Sequence, residues 1–197
     1  MPDPLVPVGE GHTELGDDDR TGLRPTYIAT RSELNDAEQR SIARGLLRRR
    51  PPSWRDLLDD VYLRALHKAM FADVWTWAGK YRTRDTNVGI DPAQISVAVR
   101  ELTADGRAWV EYETYPPDEL AVRVHHRLVW IHPFVNGNGR HGRVAADYLV
   151  RALGRPPFTW GAGLPAVTTT ELRSAYLSAL RSADRGDHTK VLTFARA

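Results

Sequence analysis

Apolar residues recur every three or four positions along most of this chain, and one polar stretch interrupts the rhythm. Leu58, Tyr62, Leu66, Met70 and Val74 follow near-helical spacing, which predicts one helix from a Ser53 cap to just before Gly79. Pro116-Pro117 opens another, with Leu120, Val124, Leu128 and Ile131 on one face. A second amphipathic run begins within Gly137–Arg140 and ends at Leu153, with Gly154 past its end. Asn35 or Asp36 caps a helix to about Arg49, which Pro51-Pro52 stops. Asp91-Pro92 starts one to about Tyr112, with Asp105-Gly106 as a point of bending. Thr170 with Glu171 starts a helix to about Asp184, and a short one covers Lys190 to Ala195. Tyr27 to Thr30 reads as a short extended piece, and residues 155–167 as loop. The interruption is Lys80 to Ile90, carrying Arg82, Arg84, Asp85, Asn87 and Gly89; its weak alternation predicts a short hairpin or extended flap. The expected organisation is an irregular N-terminal arm over 1–30 and an all-α domain over 31–197.

Composition narrows the class. The chain has 197 residues, 42% of them hydrophobic, enough for a core in one domain. It has no cysteine, which excludes disulfides and thiolate metal sites and fits a reducing compartment. No apolar run is long enough to span a membrane, and Met1 to Arg20 lacks a basic-then-apolar leader, so a cytoplasmic protein is expected. The net charge of +2 says little about nucleic acid. Arg44, Arg48, Arg49 and Arg50 suit the end of a helix, where cations are welcome; the alternative is a patch for an anionic partner, but no nucleic-acid docking motif accompanies it.

Chemistry concentrates between the two amphipathic runs, in His132-Pro-Phe-Val-Asn-Gly-Asn-Gly-Arg-His-Gly-Arg143. Gly137 and Gly139 flank Asn138 at a helix start, where free N–H groups and the helix dipole favour an anion. Arg140 and Arg143 share a face in that first turn, where the dipole disfavours cations unless an anion lies among them. Pro133 pushes His132 out of the α region and holds its imidazole at a helix end, placed to take a proton near neutral pH. Phe134 pins the loop to the core; Asn136 offers an oxygen to Mg²⁺ or an amide to phosphate; Asn138 bonds either the loop or a phosphate oxygen. The bland alternatives are a helix–helix turn of small residues, a capping histidine and surface arginines.

This run resembles the signature of the Fic family, His-x-Phe-x-(Asp/Glu)-Gly-Asn-Gly-Arg-x-x-Arg, and Trp77-Ala-Gly-Lys-Tyr-Arg-Thr83 before the polar stretch agrees with it. The likeness spans about 55–195, and Thr26 to Asn35 is similar to the Fic subgroup called mobile mystery protein B. The resemblance implies a Fic fold, a helical bundle whose two central helices are joined by the motif loop, with a short β-hairpin flap. It implies a nucleotidyltransferase that moves AMP from ATP to a Ser, Thr or Tyr hydroxyl of a target protein, with Mg²⁺. On that basis His132 is the general base, and Gly137, Asn138 and Gly139 form the anion hole. Arg140 and Arg143 hold the β- and γ-phosphates. The flap, with Arg82, Thr83, Asn87, Val88 and Gly89, aligns the target by strand addition.

One departure stands out: Asn136 occupies the place of the family's acidic metal ligand. A neutral oxygen forgoes the Coulomb attraction of a carboxylate, where two unit charges ~4 Å apart gain about 4 kcal/mol at an effective dielectric of 20. Weaker metal binding, slower catalysis or a different donor is expected, although ATP phosphates carry their own Mg²⁺. The family's restraining pattern, (Ser/Thr)-x-x-x-Glu-(Gly/Asn), whose glutamate pairs with the second motif arginine, is missing from the sequence. That leaves a separate antitoxin-like inhibitor, as in a toxin–antitoxin pair, an unrestrained chain, or another acid such as Glu33 or Glu38. The competing readings are a catalytically weak nucleotide- or partner-binding module, a phosphotransferase of the same fold, and a hydrolytic metal site built from His125, His126, His132 and His141. The last lacks local carboxylates, since no Asp or Glu falls within 121–146.

Overall fold

A computed structural model describes residues 17–164 and 168–197. Most of the expected N-terminal arm, and 165–167 of the expected 155–167 loop, lie outside the described residues. The elements in order are α1 (Asp17–Arg20), α2 (Arg31–Leu47), α3 (Trp54–Leu57), α4 (Asp60–Phe71), α5 (Ile95–Glu111), α6 (Pro117–Ile131), α7 (Asn138–Ala152), α8 (Thr169–Ala183) and α9 (Thr189–Arg196). A single 3₁₀ turn, Pro92–Gln94, leads into α5.

Helix boundaries follow capping chemistry more than apolar spacing. The cap of α2 is Thr30, five to six residues before Asn35 and Asp36. The Thr30 hydroxyl accepts from the Glu33 amide, and the Glu33 carboxylate accepts from the amides of Thr30 and Ala29. Tyr27 to Thr30 is turn and coil rather than an extended strand. Thr168, with Glu171 as its reciprocal partner, caps α8. The helix expected from Ser53 to Gly79 is broken in two. Leu58 leaves helical geometry at ψ 54, and the Asp59 carboxylate accepts from the Tyr62 amide to start α4 afresh. The break turns both Leu57 and Leu58 inward at 1% exposure, and Arg107 Nε donates to the Leu58 carbonyl at 2.8 Å. Gly106 is needed for close approach there, since a Cβ on it would stand 2.8 Å from the Leu58 side chain. α5 runs through it unbroken.

α6 and α7 pack together at the centre, with α5 and α9 also against α6, α4 against α2 and α8 against α9. Leu120, Val124, Leu128 and Ile131 are all buried, as the spacing predicts. α7 answers with Ala145, Ala146, Leu149 and Val150, and with Gly142, where a Cβ would meet the His125 ring at 3.0 Å. Residues 80–91 do not form a hairpin. Among the described residues they contribute only a one-residue bridge, Tyr81 to Phe134. Arg82 supplies the reason. Its backbone amide donates to Pro133 O at 2.9 Å, and its buried guanidinium donates to the carbonyls of His132, Arg84 and Ile90. One side chain thus satisfies oxygens that a strand ladder would otherwise have to pair. No helix among the described residues is long and apolar enough to cross a membrane.

Candidate active site

His132 ends α6 in the left-handed conformation, φ 53 and ψ 59, so Pro133 does exclude it from the right-handed helix. Arg82 Nε holds its carbonyl at 2.8 Å. Its ring Nδ1 lies 3.3 Å from Val129 O. A carbonyl only accepts, so Nδ1 carries the proton and Nε2 the lone pair. Burial, with the Arg82 cation close by, pushes the imidazole down to about 4 against the pull of the Val129 carbonyl. The ring is therefore neutral at pH 7, the state a base requires. The flap covers it at Gly89, whose φ is +104.

The loop that follows is braced from within. Phe134 is buried and stacks on His67 with ring centroids 3.7 Å apart. His67 Nδ1 accepts from the Gly79 amide at 3.0 Å, so its Nε2 is the donor to Asn136 O, also at 3.0 Å. The Asn138 side chain accepts from Phe134 N at 2.9 Å and donates to Phe134 O at 2.8 Å, so it bonds the loop rather than a ligand. Asn136 Oδ1 accepts from Gly137 N at 2.6 Å. Gly137 therefore serves the turn, with φ +80 and a Cβ position only 2.5 Å from the Phe71 ring, and its amide is occupied. The first helical bond of α7 is His141 N to Gly137 O, which leaves the amides of Asn138, Gly139 and Arg140 as the opening donors of the helix.

The two motif arginines have different surroundings. Arg140 donates to Glu38 Oε2 at 2.7 Å and lies over the Phe71 ring. Glu38 is fully buried, and its other oxygen accepts from Trp75 Nε1 at 2.7 Å. Arg143 lies over the Tyr176 ring, 5.6 Å from its centroid. Of the two acids singled out from the sequence, Glu33 is used in the α2 cap, and Glu38 pairs with the first arginine rather than the second.

Among the flap residues, Thr83, Asn87 and Gly89 are exposed and Val88 is half-buried. Arg82 is 3% exposed, so it is an internal clamp and its side chain does not face a target. A cavity of about 570 Å³ opens between the flap, α6 and α8, lined by Val88, Gly89, Val129, Trp130, Leu177 and Leu180 among others. Sequence reasoning missed this cavity and Tyr176, because their placement depends on how α8 docks. Asn136 offers one neutral oxygen, which accepts from the Gly137 amide, and no cluster of three or more His, Cys, Asp or Glu among the described residues could hold a metal. The histidines are separately engaged: His125 with the Tyr176 hydroxyl, His126 with Asp184, His141 with Leu63 O.

A helical bundle with a basic imidazole, a glycine turn and paired arginines at the junction of its central helices defines the class. The model of the Fic/DOC family matches residues 57–150 of this chain. It is 33% identical over 113 residues to protein adenylyltransferase fic-1 of Caenorhabditis briggsae, covering 56% of this chain and 21% of that protein. It is 32% identical over 114 residues to protein adenylyltransferase Fic of Drosophila melanogaster, covering 55% and 21%. The chain thus spans about one fifth of the length of these relatives. The BepC protein of Bartonella tribocorum, solved with bound AMPPNP, has the same fold at a TM-score of 0.68 and 19% identity, over 92% of this chain and 93% of that one. A Bartonella quintana Fic domain with bound ADP matches at 0.66 and 20%, over 87% and 86%.

Proposed function

We propose that this chain is a protein adenylyltransferase, transferring AMP from ATP to a Ser, Thr or Tyr hydroxyl of a target protein. The observation that carries this is the His132 imidazole at the end of α6, neutral with its proton on Nδ1, where the loop leads into the opening amides of α7. His132 Nε2 takes the hydroxyl proton. The hydroxyl oxygen forms a bond to the α-phosphorus, the bond from that phosphorus to the bridging oxygen of the β-phosphate breaks, and pyrophosphate leaves. The amides of Asn138, Gly139 and Arg140, with Arg140 and Arg143, stabilise the charge that grows on the phosphate oxygens. Gly137 contributes the turn. The cavity of about 570 Å³ falls within the size range of small-ligand sites and takes the nucleoside.

The outer edge of the flap, at Thr83, Asn87, Val88 and Gly89, presents the target segment to the base. Among the described residues no cluster of acids is placed to hold Mg²⁺, and Asn136 offers it a neutral oxygen at the loop. The setting is the cytoplasm, with an antitoxin-like protein as the restraining partner. Relatives named protein adenylyltransferase, and family members solved with AMPPNP and ADP, support the reading.

A binding module is the second reading, and Asn136 is what favours it: its side-chain oxygen is turned onto the loop amide instead of outward. His132→Ala separates the two. Loss of label transfer from ATP carrying ³²P at the α-position, with nucleotide binding kept, supports the transferase. Transfer by wild type from γ-labelled ATP only identifies a phosphotransferase, and no transfer from either label supports the module.

A further inference from the structure

We infer that Tyr176 of α8 is a positioning residue for the phosphate site: its ring carries the Arg143 guanidinium, and its hydroxyl end reaches the opening turn of α7. The inference rests on the transferase reading, in which that turn receives the polyphosphate, and extends it to a residue outside the motif.

The argument is geometric. Gly139 and Arg143 are four positions apart on α7 and share a face. Tyr176 covers that face at both points. Its hydroxyl oxygen lies 3.9 Å from the Cβ position of Gly139, and the Arg143 guanidinium carbon lies 5.6 Å from its ring centroid. Neighbours on other helices fix the ring. The His125 Nε2 of α6 hydrogen-bonds the hydroxyl at 3.0 Å, and the Phe194 ring of α9 stands 5.6 Å away between centroids. His125 is itself locked: it is fully buried, its ring centroid is 4.7 Å from that of Trp160, and a Cβ on Gly142 would stand 3.0 Å from it. Burial pushes the phenol up to about 12, against the nearby arginines, and pushes His125 down to about 3. Both groups are therefore neutral at pH 7, and the anchor brings no charge to the site. Arg143 stands near the positive end of the α7 dipole, which opposes a cation. The electron-rich face of a tyrosine ring attracts a guanidinium within about 6 Å of its centroid. It holds the cation in place before an anion arrives, so less ordering is left for the binding step. Arg140 has a different anchor, the Glu38 carboxylate at 2.7 Å. The two motif arginines thus depend on different elements, the first on α2 and the second on α8.

The test uses the full chain and calorimetric titration with tripolyphosphate. Arg143→Gln is expected to weaken binding about tenfold, as loss of one charge-assisted contact implies. Tyr176→Met fills much of the ring's volume without its π face and is expected to weaken binding about fivefold. In the Arg143→Gln background the same change should cost less than about twofold, because the cation it positions is gone. Tyr176→Phe keeps the ring and should recover most of the affinity. Wild-type affinity in Tyr176→Met, a fivefold loss that persists without Arg143, or a phenylalanine variant as weak as the methionine one overturns the assignment. Wild-type protein that does not bind tripolyphosphate overturns it as well. Should Tyr176→Met unfold, progressively fluorinated phenylalanine at position 176 keeps the shape while draining the π face. Affinity should then fall stepwise, and a flat series refutes the role. The two claims fail separately. Coupling of Tyr176 to Arg143 in a protein that never transfers AMP keeps the positioning role and removes the transferase. AMP transfer without that coupling does the reverse.

Discussion

Replacing Gly89 by alanine puts a methyl group between the flap and His132. The new Cβ would stand 2.5 Å from His132 Cβ, 2.7 Å from Arg82 Nη2 and 3.0 Å from Ile131 O. Ordinary contact begins at 3.4 Å, so the flap must retreat from His132 by about 0.9 Å. None of the obstructing atoms can easily give way: one is anchored at the buried end of α6, one is a backbone oxygen, and one belongs to a guanidinium already engaged with several carbonyls. Alanine at φ +104 also carries backbone strain, about 1–3 kcal/mol. A shift near 1 Å in the alignment of reacting groups costs roughly 10²-fold in rate. Gly89→Ala is therefore expected to lower kcat for AMP transfer about 100-fold with a small loss in Tm. Gly154→Ala is the control. Its φ is +80, but its Cβ would meet nothing within 4 Å, so it carries strain without displacement and should leave kcat unchanged. The assay is α-³²P label transfer beside calorimetric unfolding, with the His132 ring ¹⁵N signal as a readout independent of turnover. Wild-type kcat and an unmoved His132 signal in Gly89→Ala would refute the claim that flap and base are in contact.

Two further outcomes follow from burial and pairing. Burial holds His125 at about 3 and His132 and His141 at about 4, while the unfolded chain titrates near the ordinary value of 6.5. The unfolded state thus binds more protons as pH falls below about 6.5, and folding should lose on the order of 2 kcal/mol per histidine by pH 5. A Tm that is flat from pH 7 to 5 contradicts this. By the same sign, kcat/KM should hold level down to pH 5 rather than fall with an apparent pKa near 6.5. Glu38→Ala leaves Arg140 without its carboxylate and the Trp75 indole N–H without its acceptor, which should cost about 3 kcal/mol of stability and shift tryptophan emission. Urea unfolding measures it, and a change under about 1 kcal/mol refutes a structural role for the pair.

Local rules carried the sequence reading a long way. The apolar faces of α6 and α7, the proline at the start of α6 and the exclusion of His132 from the helix all depend on neighbours within a turn or two of chain, so they are visible in the order of residues. The α2 start was misplaced because a reciprocal cap at Thr30 outweighs a single good capping residue downstream. The break at Leu58 could not be anticipated, since its freed carbonyl is satisfied by Arg107, 49 positions away. The same holds for the flap: a weak alternation suggested strands, but the donors for its carbonyls come from one buried arginine.

Residue order by itself determined which chemical groups are present and which helix end gathers them. Tertiary structure decided what each group is free to do. It spent Asn138 and Gly137 N–H on the loop, turned Asn136 inward, paired Glu38 with Arg140, lowered the proton affinity of His132 and brought α8 and α2 to the motif. The reason is physical. Spacing along a helix sets direction within a few residues, whereas desolvation, ion pairing and hydrogen-bond competition depend on groups that are distant in the chain and adjacent only after packing.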